Sequence, residues 1–171
     1  MYFFTADEHY GHKGVISFCN RPFRSIEEMD AAMIRRHNML VGDNDVVIHA
    51  GDFCWCNNKR DAEKYIKQLK GNHVFLKGSH DHWLPRSAHK MWEKTIDGKH
   101  ITVCHYPLYS WPRSHYNSWH LYGHVHGRMK LHGKSFDVGV DNTDFYPVSW
   151  NGVCEIMNKK PDNPNLIKYR S

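Results

Sequence analysis

The chain predicts a layered α/β protein. Three observations carry that reading. Short apolar runs alternate with amphipathic helical stretches in the first half, several of those runs stop at an acid or histidine, and a tight Asp-Gly turn opens a strand-rich second half. With 171 residues, 40% of them hydrophobic, the chain can bury one core and reads as a single domain over 1–171.

The elements follow in order. Tyr2–Ala6 is an aromatic and apolar strand stopped by Asp7. Ser25-Ile26-Glu27-Glu28 has the form of a capping box, a hydroxyl for the free amides with a glutamate three residues on. It opens a helix to about Leu40, with Ile26, Met29, Met33 and His37 near one face. Asp45–Ala50 is a buried-type strand, followed by Gly51-Asp52. A second helix runs from about Lys59 to Leu69, with Gly71 placed to end it. His73–Lys77 is the next strand. Asp97-Gly98 turns a hairpin between Glu93–Ile96 and Lys99–Cys104. Further strands are expected at Leu121–Gly123, Arg128–Leu131 and Ser135–Val140. Pro147-Val148-Ser149 introduces a short helix to about Met157, and the tail from Lys159 to Ser171 reads as irregular with room for a last edge strand.

Composition narrows the class. No apolar stretch approaches the roughly 20 residues that span a bilayer, and the N-terminus lacks a basic segment, so a soluble cytoplasmic protein with no membrane partner is expected. The five cysteines are irregularly spaced with no C-x-x-C, which favours buried reduced thiols over a zinc ribbon or disulfide framework. The net charge of +5 leans towards an anionic partner, but the lysines and arginines are dispersed, so nucleic acid has weak support.

The chemistry sits at the strand ends. Asp7-Glu8-His9, Gly51-Asp52, Gly78-Ser79-His80-Asp81, His105 and Gly123-His124-Val125-His126 each follow an expected strand. In α/β sheets ligands gather beyond those carboxyl ends, so the five segments point to one pocket. Mixed carboxylate and imidazole donors suit manganese, iron, zinc or nickel better than calcium or magnesium. Of the 15 histidines, His49, His73, His82, His89, His100, His115, His120 and His132 read as bystanders. His12 stands evenly between contacting a substrate phosphate and capping a helix, and Arg21 reads as structural with phosphate clamping as its alternative. The aromatics of Tyr106–His120 and of Cys54-Trp55-Cys56 read first as packing, and second as a wall able to stack on a base.

The ordered set Asp-x-His, Gly-Asp, Gly-Ser-His-Asp, His and Gly-His-x-His resembles the calcineurin-like metallophosphoesterases, over about Tyr2 to Val148. The resemblance implies a four-layer α-β-β-α sandwich of two mixed β-sheets flanked by helices, with two divalent cations at strand C-terminal ends and manganese as first choice. It implies that Asp7, His9 and His126 hold the first ion, that Asp52 bridges, and that Ser79, His105 and His124 hold the second. It places His80 by the leaving group, with Asp81 orienting its ring. The implied activity is phosphodiester or phosphomonoester hydrolysis by a hydroxide between the ions, on a small nucleotide-like or phosphometabolite substrate. The family pattern has Asn where this chain has Ser79, a shorter and poorer neutral donor. That departure motivates a second reading, a weakened phosphate-binding or interaction protein on the same scaffold. A nuclease is the third.

Overall fold

The computed structural model describes residues 1–168. Strand β1 (Tyr2–Thr5) leads through helix α1 (Lys13–Phe18) and α2 (Ile26–Leu40) to β2 (Val46–His49). Helix α3 (Lys59–Ile66) and β3 (Asn72–Phe75) complete the first half. The second half comprises β4 (Met91–Ile96), β5 (Lys99–Cys104), β6 (Trp119–Tyr122), β7 (Ser135–Asp137), β8 (Val148–Ser149) and α4 (Trp150–Asn158).

The strands form two mixed four-stranded sheets flanked by helices. One has the order β3-β2-β1-β8, with β1, β2 and β3 parallel and β8 antiparallel. The other has the order β4-β5-β6-β7, with β4 antiparallel to β5 and the remaining three parallel. Period-two alternation decides what each face touches. Phe4 and Ile48 from the first sheet join Ile101, Val103 and Leu121 from the second in a shared core, which Trp150, Val153 and Met157 of α4 close. Phe3 and Val47 point the other way, towards Val41 at the end of α2. Helices α2 and α3 lay Met29, Met33 and Ala62 into a second cluster with Tyr10 and Phe53. On the outer face of the second sheet His120 is buried beneath the loop that follows β5, where Trp111 stacks on it at 5.3 Å.

Local chemistry accounts for the helix starts. Ser25 Oγ accepts from the Glu28 amide at 3.2 Å, while the Glu28 carboxylate reaches back to the Arg24 amide. Asn58 caps α3 and Ser149 caps α4 in the same manner. Three expectations need correcting. Arg128–Leu131 is a turn region and not a strand, because β5 and β7 already occupy both edges of β6. The expected strand Ser135–Val140 ends at Asp137, beyond which Gly139 bridges to Ala6 and ties the sheets together. Residues 159–168 hold no edge strand, and residues 169–171 lie outside the described part.

Candidate metal centre

The parallel strands of both sheets deliver their C-terminal ends to one edge of the sandwich. The loop after β1 is pinned to the loop after β2: Asp7 N donates to Gly51 O and His9 N to Asp52 O, each at 3.0 Å. Asp52 Oδ1 in turn accepts from the His80 amide at 2.8 Å, and Asp7 Oδ2 accepts from the His124 amide at 2.8 Å. Asp7, His9, Asp52, His124 and His126 all have positive φ, between 49° and 72°. That conformation is uncommon for residues with a side chain, and non-glycine examples gather where function over-determines the backbone. Glycine allows the close packing: a Cβ at Gly78 would fall on Asp52 Oδ1, and one at Gly51 would lie 2.6 Å from His105 Nδ1.

Two ligand-capable sets result. Donor atoms of Asp7, His9 and His126 lie within 4.8 Å of one another, and so do those of Asp52, His105 and His124. Asp52 Oδ2 faces both sets, 3.8 Å from His9 Nε2 and 3.3 Å from His105 Nε2. Ser79 Oγ donates to the same oxygen at 2.9 Å, so position 79 enters the second set through Asp52. His105 Nδ1 lies 3.1 Å from Ala50 O. A carbonyl only accepts, so Nδ1 carries a proton and Nε2 is the ring atom turned inward to Asp52.

The electrostatics suit cations. Asp7, Asp52 and His105 are buried, while His124 is exposed at the mouth. Burial, with the charges of Asp52, Asp137 and Glu8, raises the Asp7 carboxyl well above the ordinary carboxylate range. Burial also raises Asp52, but the His105 hydrogen bond and charge, the His80 amide and His9 outweigh it and bring this acid below that range. Burial pushes His9 down to about 3, so its imidazole is neutral and available as a donor. Asp7 Oδ1 and His9 Nδ1 are buried without hydrogen-bond partners. Unpartnered buried polar atoms are rare, and these belong to two residues that, with His126, could hold one ion. The donor set therefore fits divalent metal.

One assigned role changes, and one alternative closes. Both Asp81 oxygens are engaged, accepting from the amides of Asp52, Phe53 and Gly78 and from Trp83 Nε1. Asp81 therefore splints the loops that carry Asp52 and His80, and does not orient the His80 ring. Arg21 is structural and not a phosphate clamp: its side chain is inaccessible, donating to the carbonyls of Asp7 and Glu8 and pairing with Asp141 at 2.8 Å. His80 is half-buried at the mouth, its ring 5.5 Å from His9. His12 sits at the N-terminus of α1, but its side chain makes no capping bond.

Sequence reasoning missed Asp141 and Glu8. Asp141 Oδ2 accepts from His126 Nδ1 at 2.7 Å, which frees His126 Nε2 for the cleft. The signal was available, since Asp141 follows the expected strand Ser135–Val140 as Asp7 follows its own. A further set, Cys19, His126 and Asp141, shares His126 with the first. Burial and the Asp141 charge raise the Cys19 thiol, which disfavours the thiolate a metal needs. Glu8 Oε1 lies 2.6 Å from His49 Nδ1, and His49 Nε2 lies 3.0 Å from His73 Nδ1, so two presumed bystanders support the loop between Asp7 and His9. Burial pushes Glu8 up and His49 down, so it favours the neutral form of each partner in this contact.

No protein-family model matches the chain. It is 28% identical over 165 residues to the uncharacterized protein MJ1445 of Methanocaldococcus jannaschii, covering 92% of this chain and 91% of that one. Its fold is that of the Aquifex aeolicus protein of unknown function AQ665, with a TM-score of 0.69, 18% identity, and coverage of 91% of this chain and 98% of the other. A looser likeness, TM-score 0.45 at 16% identity, is to a predicted phosphoesterase from Streptococcus pneumoniae, over 81% of this chain and 70% of that one. Among the described residues no helix is long and apolar enough to cross a membrane.

Proposed function

We propose that this protein is a metal-dependent phosphoester hydrolase acting on a small phosphorylated substrate, with two divalent cations, manganese as first choice and iron, zinc or nickel as alternatives. The observation that carries the reading is the position of Asp52 Oδ2 between the His9 and His105 imidazoles, with a ligand set on either side. Asp7, His9 and His126 would hold one ion, His105 and His124 the other with Ser79 beside them, and Asp52 would serve both. This is the arrangement that the resemblance to calcineurin-like metallophosphoesterases implies.

Bound cations would supply ionised water near neutral pH and offset charge building on the phosphoryl oxygens. The chain's own groups do the rest. His105, with its proton held on Nδ1 by Ala50 O, keeps Nε2 facing Asp52. Asp81 fixes the Gly78–His80 turn against Asp52. His80 stands at the open side of the cleft, where it can give a proton to a departing oxygen, a contribution typically of about 10²–10⁴-fold.

The test follows nitrophenol release from p-nitrophenyl phosphate and from bis(p-nitrophenyl) phosphate with Mn²⁺, before and after EDTA. Metal-dependent release is expected, and Asp52→Asn abolishes it while circular dichroism stays native. Wild-type rates in Asp52→Asn with Mn²⁺ present would sink the assignment. One observation favours a second reading, a phosphate-binding protein without turnover: the Ser79 hydroxyl engages Asp52 Oδ2, the oxygen both ligand sets face. Silence from the wild type and from Ser79→Asn would favour it. A nuclease shares the chemistry, and the dispersed positive charge gives it little support.

A further inference from the structure

The cleft beside His80 has an aromatic wall open to solvent. Trp55 is 49% exposed, although Cys54 and Cys56 on either side of it are buried. The segment thus turns its thiols inward and its indole outward. Its backbone is fixed, with Trp55 N donating to Tyr10 O at 2.8 Å. The indole lies flat against His12, with ring centroids 4.1 Å apart and planes 12° from parallel. From there the rings lead straight to the candidate centre: Trp55 is 5.0 Å from His80, and His12 is 5.3 Å from the candidate ligand His9. Phe18, 70% exposed, stands edge-on to His12.

Packing does not explain this wall. A ring serving the core is covered, whereas Trp55 and Phe18 leave large apolar faces in water beside a strongly polar cleft. Stacking on His12 fixes the indole plane before anything binds, so a second flat ring joining the stack costs little side-chain ordering. A phosphodiester held at the ligand sets would set its leaving oxygen by His80 and bring its second, retained ester arm within reach of that plane, 5.0 Å from His80. A nucleobase has the matching chemistry, a π face of either purine or pyrimidine on a sugar next to the phosphate.

We propose that Trp55, held flat by His12, is a stacking platform for one nucleobase, and that the substrate is a small nucleoside phosphodiester. The proposal rests on the phosphoester reading of the metal centre. A single indole takes a single base, and the longest run of lysines and arginines along the sequence is a pair.

The test uses two diesters with a common leaving group, thymidine 5′-(p-nitrophenyl phosphate) and methyl p-nitrophenyl phosphate, and the full chain with Mn²⁺. The thymidine ester is expected to have the higher kcat/KM by about tenfold, carried by KM, within the range that one stacked base supplies. Trp55→Ala removes most of that preference and Trp55→Phe keeps most of it. Equal kcat/KM for the two esters, or a preference that Trp55→Ala leaves untouched, overturns the platform and leaves the hydrolase reading standing. Cleavage of neither ester defeats the hydrolase reading instead. The platform is then decided by saturation-transfer NMR with thymidine 5′-phosphate. Saturation reaching the base protons in the wild type and vanishing in Trp55→Ala supports it, and no saturation of the base protons in the wild type overturns it. An oligothymidylate that competes better per strand end than the mononucleotide overturns the choice of a small substrate.

Discussion

His126 reaches the first ligand set with one end of its ring already fixed. Its Nδ1 donates to Asp141 Oδ2 at 2.7 Å, and Arg21 grips Asp141 through Nε and Nη2, both at 2.8 Å. Burial raises Asp141, but the His126 and Arg21 contacts outweigh it and keep the acid below the ordinary carboxylate range. The same guanidinium donates to the carbonyls of Asp7 and Glu8, so one buried arginine aligns the loop after β1 with the acid that holds His126. Asp141→Asn preserves shape and removes the anion that fixes the ring. It is expected to weaken Mn²⁺ binding by about 10–100-fold, the usual effect of losing such a partner. Calorimetric titration of the metal reads this directly, without turnover, and an unchanged dissociation constant would remove Asp141 from the centre. At this scale the sequence was informative about identity and poor about orientation. Asp7, His9, Asp52, His105, His124 and His126 were legible because their types and their places after strands carry the chemistry. The roles of Asp81 and Asp141 were not, because what they do depends on which backbone amides and side chains come near them, and nothing in residue type states that.

Elements were legible where periodicity and a boundary signal agreed. Ser25 and Lys59–Ile66 gave helices near their expected places, and Asp97-Gly98 gave its hairpin, both residues adopting positive φ. Strand β8, two residues long, offers no period to read, and Arg128–Leu131 looked strand-like only until β7 took the adjoining edge. Strand β6 shows how an element can depend on a loop. Its His120 accepts from the Leu108 amide at 3.2 Å through Nε2, with Nδ1 3.1 Å from Thr102 O, and so pins the loop after β5 to the sheet. Accepting at Nε2 requires a neutral ring, and burial pushes His120 down to about 4. The sign follows from linkage. Unfolded, the ring takes a proton near pH 6.5, whereas folded it resists until about pH 4, so its stabilising contribution is present above pH 6.5 and is lost as pH falls to about 4. Comparing urea midpoints of the wild type with those of His120→Gln across pH cancels every other titrating group. The wild type is expected to lose up to about 3 kcal/mol relative to the variant between pH 7 and pH 4, at about 1.4 kcal/mol per pKa unit. A constant difference across that range would show that His120 is not the neutral acceptor described.

The whole molecule is two sheets whose facing side chains share one core, and the candidate centre is where their polar ends meet. Asp7 and His9 follow β1 and Asp52 follows β2, all from the first sheet, whereas His105, His124 and His126 follow β5 and β6 of the second. Each ligand set therefore draws from both sheets: Asp7 and His9 with His126, and Asp52 with His105 and His124. Hydrogen bonds already cross this seam, from the His124 amide to Asp7 and from Val140 N to Ala6 O at 3.0 Å. They leave the Asp7 and Asp52 carboxylates confined together, where burial first and the charge of Asp52 second raise Asp7. A cation in either set would relieve that repulsion and clamp the sheets, and an unfolded chain with dispersed ligands would gain neither effect. Stability should therefore rise with metal concentration by mass action, by about 2.7 kcal/mol at a hundredfold excess over Kd. At about 2–4 °C per kcal/mol for a chain of this size, Mn²⁺ is expected to raise Tm by about 5–10 °C, and EDTA to reverse the gain. Asp7→Asn, which removes the acid whose charge burial and Asp52 oppose and keeps an oxygen for the His124 amide, should lose part of that increment while lowering the repulsion in the metal-free protein, so its own Tm without metal equals or exceeds that of the wild type. A wild-type Tm indifferent to Mn²⁺, with Asp7→Asn less stable than the wild type in EDTA, would mean that the two carboxylates are not held together against their charge, and the centre would lose its physical basis whatever the substrate.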